Sequence, residues 1–156
     1  MDTTFTLKDN VFNYRVAGIW VENGYVLLHK QANDSHWALP GGRARMLEDS
    51  KSCLVREMKE ELDVVIEIER LLWSVENFFS YAGKNFHEIG FYYLIRGVEP
   101  PSFYQTAPFF GPEGDRLIYQ WVPVPEICNV ALYPEFLRKA LIELPKETQH
   151  LIVSNK

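Results

Sequence analysis

The sequence predicts an α/β fold, with a mixed β-sheet covered by helices on both faces. Three observations carry that prediction. Strand-like runs stand before, between and after two helical patterns. The first two runs are joined by Asn23-Gly24, a strong two-residue hairpin signal. One helix, over residues 49–62, shows a clear apolar stripe. At 156 residues the chain fits a single domain, 1–156, long enough to bury a core.

Residues 13–22 (NYRVAGIWVE) are rich in β-branched and aromatic side chains and read as a strand, with 25–31 (YVLLHKQ) returning as its partner. A polar loop over 31–35 leads to Trp37-Ala38-Leu39 and then Pro40-Gly41-Gly42. In the helix, Leu54, Val55, Met58 and Leu62 fall within roughly 100° of arc, and Asp49 or Ser50 caps its start. Two long strand patterns follow, 64–80 and 86–96, joined by residues 81–85. Residues 117–124 give another strand and 134–144 (PEFLRKALIEL) a second helix, with Pro134 suited to its first turn. Between them, 98–115 is an 18-residue stretch with four prolines and no period. Loops of that length inside a compact domain are often lids or binding loops.

A formal charge of −5 argues against a stable nucleic-acid complex, which needs a basic stripe. A nucleotide substrate is still allowed, because a bound cation can bring the positive charge. The two cysteines, Cys53 and Cys128, are too few for a disulfide framework and lack metal-finger spacing, so a reduced, cytoplasmic protein is expected. No apolar run approaches 18 residues, and the first eight residues lack the apolar segment of a secretory leader. Neither secretion by that route nor a membrane span is expected.

The polar face of the first helix carries the chemistry. With Leu54 at zero, Glu60, Glu57 and Glu61 lie at about 240°, 300° and 340°. Like charges three and four residues apart repel by about 0.2–0.5 kcal/mol per pair. Arg56 can offset only part of that. Clustered hard oxygens of this kind suit Mg²⁺ or Mn²⁺. Taken alone, a solvated acidic face is the commoner explanation.

The cluster is not alone. Residues 42–64 read GRARMLEDSKSCLVREMKEELDV. This stretch resembles the Nudix box, G-x5-E-x7-R-E-U-x-E-E-x-G-U, with U a bulky aliphatic residue. Gly42, Glu48, Arg56, Glu57, Glu60 and Glu61 match, and Met58 and Val64 fill aliphatic positions. Asp63 departs, standing where the family has glycine; Asp visits the left-handed conformation more readily than most residues, and no ligand is lost. Similarity extends over the approach Trp37 to Gly42, the opening hairpin, and Trp121-Val122-Pro123-Val124-Pro125-Glu126. The resemblance implies an α/β/α sandwich with a mixed sheet.

It also implies roles. Glu57, Glu60 and Glu61 would hold Mg²⁺, with Mn²⁺ as a substitute, and Glu57 or Glu60 would serve as general base. Gly41 and Gly42 would allow close backbone approach. Glu48 and Arg56 would form an ion pair fixing loop to helix; the bland reading is a surface salt bridge. Glu88, at the start of a strand pattern, matches an accessory metal-binding glutamate of several members, or else is an exposed strand-end residue. Arg43 could meet phosphate or face water. Tyr81 falls 17 residues after Val64, near where dinucleoside-polyphosphate hydrolases place a tyrosine. Phe103 and Tyr104, with Phe109 and Phe110, could stack on a base or pack on the domain's own core or a second subunit, so a homodimer is compatible. The expected function is Mg²⁺-dependent hydrolysis of a phosphoanhydride in a nucleoside di- or triphosphate or related derivative. The alternative is a nucleotide or ADP-ribose sensor on the same fold.

Overall fold

The structure, a computed structural model, describes residues 1–101 and 104–155. Its organising strand is β2 (Asn10–Glu22), which shares one side with β6 (Lys84–Gly97) in parallel register from Asn10↔Asn85 to Trp20↔Ile95. The other side of β2 is divided among three short partners. β1 (Thr4–Leu7) pairs with its first residues, β4 (Gly41–Arg43) with Arg15 to Ala17, and β3 (Tyr25–Gln31) with Val21 and Glu22 only. After the hairpin turn, therefore, β3 leaves β2 and pairs with β8 (Leu117–Pro123) instead. The glycine loop enters the gap this opens. β5 (Ile66–Tyr81) and β9 (Gln149–Asn155) extend the sheet beyond β6 and β7 (Phe109–Phe110) lies beyond β8, giving the order β7-β8-β3-β2-β6-β5-β9.

Helix α1 (Ser50–Leu62) begins where the Asp49 side chain accepts from the Ser52 amide at 2.9 Å. It ends on Asp63, left-handed at φ 54° and ψ 42°, whose amide bonds back to Lys59 O. Its buried face is Cys53, Leu54, Met58 and Leu62, packed on Val16, Trp20, Tyr119 and Trp121. Val55, expected in the apolar stripe, is exposed, and Cys53 takes its place. Fully burying a side chain the size of Leu54 or Met58 is worth about 1.5–3 kcal/mol. The opposite face of the sheet, from Ile19, Leu28, Trp73 and Tyr92, is covered by a 3₁₀ helix (Val124–Asn129) and by α2 (Leu137–Ala140). Helices thus cover both faces of a mixed sheet, as the sequence predicts.

Several elements differ from expectation. The second helix, expected over 134–144, is a single α turn. Amides of Leu137, Arg138, Lys139 and Ile142 make tighter bonds three residues back rather than four. Residues 98–115 contain β7 (Phe109–Phe110), which pairs with β8. β1 and β9 were not anticipated. β6 starts at Lys84 across a two-residue Ala82-Gly83 turn with both φ positive, so Glu88 lies inside the strand and not at its start. No helix among the described residues is long and apolar enough to cross a membrane.

Candidate active site

The box residues interlock where α1 meets β4. Arg56 grips Glu48 with two bonds, Nε to Oε2 at 2.7 Å and Nη2 to Oε1 at 2.9 Å, both side chains being largely buried. Such a forked, charge-assisted pair is rigid as well as strong. It holds the Glu48 carboxyl down at about 2. The same guanidinium donates from Nη1 to Glu57 at 2.9 Å and Glu60 at 3.1 Å, and from Nη2 to the Arg43 carbonyl at 3.3 Å. One arginine therefore ties the loop, the helix and two of its carboxylates together.

Gly42 is required by Glu57. A Cβ at that position would lie 2.6 Å from both Glu57 carboxylate oxygens, so the glycine is a seat for the carboxylate. At Gly41 a Cβ would strike the Val16 carbonyl of β2, which explains how β4 approaches so closely. Held in this seat, Glu57 stands beside Glu61, one turn further along the same face of α1. Burial raises the pKa of both, and the charge of Glu57 adds to the rise that carries Glu61 to about 8. Tyr119 Oη donates to Glu61 Oε2 at 3.4 Å from β8.

Glu61 faces a cavity of about 820 Å³ that fills the gap between β2 and β3. Gly42, Arg43, Arg15, Arg116 and Glu88 line the same end. The far end is aromatic, with Trp37, Tyr81 and Tyr133. Volumes of roughly 300–1,000 Å³ are usual for small-molecule sites.

Comparison with known proteins bears on this arrangement. The model of the NUDIX domain matches residues 13–144. The chain belongs to the Nudix family. Solved Nudix-like structures agree with the fold. An ADP-ribose pyrophosphatase from Streptococcus suis 89-1591 superimposes with TM-score 0.62 at 16% identity, covering 90% of this chain and 98% of that one. A MutT NUDIX hydrolase from Burkholderia pseudomallei gives 0.55 at 26%, covering 73% and 84%. A UDP-X diphosphatase gives 0.60 at 18%, covering 89% of this chain and 66% of that one. No curated protein matches the sequence.

The Nudix-box residues are not all brought to one point. Glu57 and Glu61 stand together. Glu60 stays at the surface, its side chain 44% exposed, between Arg56 and Arg45 at 3.1 and 3.5 Å. Glu88 is 7% exposed and not the exposed strand-end residue that was the plain alternative. Burial raises its pKa, against the pull of Arg15 and a hydrogen bond from Asn13. Arg43 and Tyr81 line the cavity, Tyr81 donating to Asp34 Oδ2 at 2.8 Å. Tyr104 does not line it; its ring packs on Tyr25 and Trp121, 5.9 and 5.3 Å between centroids. Phe109 stacks on Tyr119. Of the two readings open for these rings, Tyr104 and Phe109 take packing on the domain itself, against Trp121 and Tyr119. Phe103 lies outside the described residues. Arg15, His29 and Arg116 went unnoticed in the sequence because they sit in strands or beside them, where no motif marks them.

Nudix proteins generally use a divalent cation. Among the described residues no three His, Cys, Asp or Glu side chains stand close enough to hold an ion unaided. The site does offer a neighbouring, half-buried carboxyl pair, Glu57 and Glu61, whose ionisation burial opposes and a cation would favour. Mg²⁺ commonly takes only one or two carboxylates and keeps waters or substrate phosphates as its other partners. The residues present fit such an ion.

Proposed function

We propose that this chain is a Mg²⁺-dependent hydrolase, accepting Mn²⁺, that cuts the phosphoanhydride bond of a nucleoside di- or triphosphate or a related nucleotide derivative. The observation that carries this is the Glu57–Glu61 pair, Glu57 seated on Gly42 and Glu61 lining a cavity whose wall also presents Arg15, Arg43 and Arg116. Carboxylates for a cation and guanidinium groups for phosphate meet at one place.

Glu57 and Glu61 would hold the cation and Glu88 an accessory one, while Glu60, expected with them, is held apart at the surface by Arg56 and Arg45. When bound, the cation supplies Lewis-acid polarisation of the phosphoryl oxygens and makes water a better nucleophile. Of the two candidate bases, Glu57 is better placed than Glu60: it is immobilised by Arg56 and Gly42 and stands beside the cavity-lining Glu61, whereas Glu60 faces Arg45. Arg43 would meet phosphate, and Tyr81 would stand near the nucleoside. Structural neighbours named as acting on ADP-ribose and on UDP conjugates suit a substrate with a diphosphate between two larger groups.

Phosphate or nucleotide release should be measured over nucleoside diphosphates, triphosphates, ADP-ribose and dinucleoside polyphosphates, with Mg²⁺ and with EDTA. At least one substrate should turn over only with the cation, and Glu57→Gln should lower its turnover by ~10²-fold, about 2.7 kcal/mol at the barrier. Tight binding of a nucleotide with no turnover by the wild type would favour the sensor instead.

A further inference from the structure

Two side chains in the cavity wall retain unused hydrogen-bonding capacity, and neither belongs to the Nudix box. Arg15 is half-buried on β2 and lines the cavity. Its one side-chain hydrogen bond among the described residues runs from Nη2 to the Leu39 carbonyl at 2.7 Å, which fixes the guanidinium in place. Five N–H donors sit on that group, and no described carboxylate stands within ion-pair distance of it. Burial pushes the carboxyls of Glu61 and Glu88 up, and the charge of Arg15 pulls each part-way back. The guanidinium thus lies in the field of both acids without being neutralised by either.

His29, on β3, is 7% exposed, lines the same cavity, and has no hydrogen-bond partner for Nδ1 among the described residues. A buried, unpaired ring nitrogen is unfavourable unless something else meets it. Burial, followed by the nearby charges of Arg15 and Arg116, lowers this imidazole to about 3. It is therefore neutral near pH 7 and able to place its single N–H on Nδ1.

We propose that Arg15 and His29 form an anion subsite that holds the substrate's second phosphoryl group beside the one attacked at Glu61, an assignment that rests on the hydrolase reading above. Arg15 brings forked, charged donors that match phosphoryl oxygens. His29 adds a directed, neutral donor. Because β2 and β3 diverge here, the two strands can grip one group between them only on this side of the hairpin.

The probe is inorganic pyrophosphate titrated into the full chain by calorimetry in EDTA, where neither a cation nor turnover contributes. The wild type should bind it. Arg15→Gln should weaken binding at least tenfold with the melting temperature retained, and Arg15→Lys, which keeps charge but loses the fork, should fall between. If Arg15→Gln does not fold, Arg15→Lys and the wild type decide. On the wild type, ring ¹⁵N spectra with His29 assigned through His29→Gln should show its Nδ1 signal move on pyrophosphate addition while that of His150 stays. With Mg²⁺ and a turned-over nucleotide, Arg15→Lys should raise KM more than it lowers kcat. Absent pyrophosphate binding by the wild type, unchanged affinity in a folded Arg15 variant, or a His29 signal that does not move would overturn the subsite. Pyrophosphate bound through Arg15 in a protein that hydrolyses no diphosphate would refute the hydrolase reading and leave the subsite standing. Hydrolysis with KM indifferent to Arg15 would do the reverse.

Discussion

The two ends of the cavity are built in different ways. At one end Glu48, Arg56, Glu57 and Gly42 interlock through bonds of 2.7–3.1 Å and a backbone seat that excludes even one methyl group. At the other end Tyr81, His36 and Tyr133 come from a strand end and from loops, meet through ring contacts of 4.5–6.2 Å, and leave Tyr81 42% exposed. Chemistry demands atoms held to within a fraction of an ångström, and the first end has that character. A binding wall for a planar or flexible group needs shape and area, which loosely joined rings supply. On this view, substitutions should act on turnover at the first end and on affinity at the second.

Gly42→Ala should show the largest effect. Its Cβ would collide with the Glu57 carboxylate, so turnover should fall by at least ~10²-fold, about 2.7 kcal/mol at the barrier, with little change in KM. Near-normal kcat in this variant would show that the seat tolerates displacement and would break the comparison. Glu61→Gln should lower turnover by at least ~10-fold and also change stability in a pH-dependent way. The folded pKa of Glu61, about 8, lies above the ordinary carboxyl value, so the folded protein binds more protons than the unfolded chain between them. Stability of the cation-free wild type should thus fall as pH rises from about 4.5 to 8, and the glutamine variant should lose that part of the decline. Melting curves in EDTA at pH 5 and pH 8 provide the check; equal slopes would place Glu61 in solvent.

The aromatic end should respond more weakly. Tyr81→Ala should raise KM for a nucleotide several-fold, as expected for loss of one stacking partner, and leave kcat and the melting temperature nearly unchanged. Tyr104→Ala should do the opposite, lowering the melting temperature by a few degrees with KM unaltered, since its ring packs on Trp121. A KM effect at Tyr104 equal to that at Tyr81 would mean that the division between the ends is misplaced.

What the sequence disclosed follows the same division. The box, its helix and the Asn23-Gly24 turn are local patterns, set by residues within a few turns of one another, and were legible, whereas the pairing of β3 with β8 in place of β2 was not. Glu88 was noticed, but its burial was not. Its neighbours Asn13 on β2 and Asn77 on β5 come together only through the sheet register. Arg15 and His29 were missed for the same reason: their place on one cavity wall depends on the divergence of β2 and β3, which no local pattern encodes. The second helix was overcalled because PEFLRKALIEL has helical composition, yet its hydrogen bonds tighten to three-residue spacing on either side of one α turn. For Tyr104 a segment without a period leaves both stacking on substrate and packing on the core open, and only the contacts with Tyr25 and Trp121 decide for packing.

The smallest expected effect concerns Asp63, which closes the helix that presents Glu60 and Glu61. The left-handed geometry, φ 54° and ψ 42°, is one that glycine adopts without strain and aspartate with some. Replacing Asp63 with Gly relieves that strain but removes an exposed ion pair, Lys59 Nζ to Asp63 Oδ1 at 2.7 Å, and adds backbone freedom to the unfolded chain. Exposed pairs of this kind are worth about 0.2–1 kcal/mol, comparable with the strain relieved. Asp63→Gly should accordingly change stability by less than about 0.5 kcal/mol, with kcat and KM unaltered, because the amide bond to Lys59 O that ends the helix is made by backbone alone. Denaturant titration resolves the first and steady-state kinetics the second. A kcat that drops with this distant, backbone-compatible change would mean that the position of Glu61 depends on the helix end as well as on Gly42 and Arg56, and would extend the rigid end of the cavity by a full turn of α1.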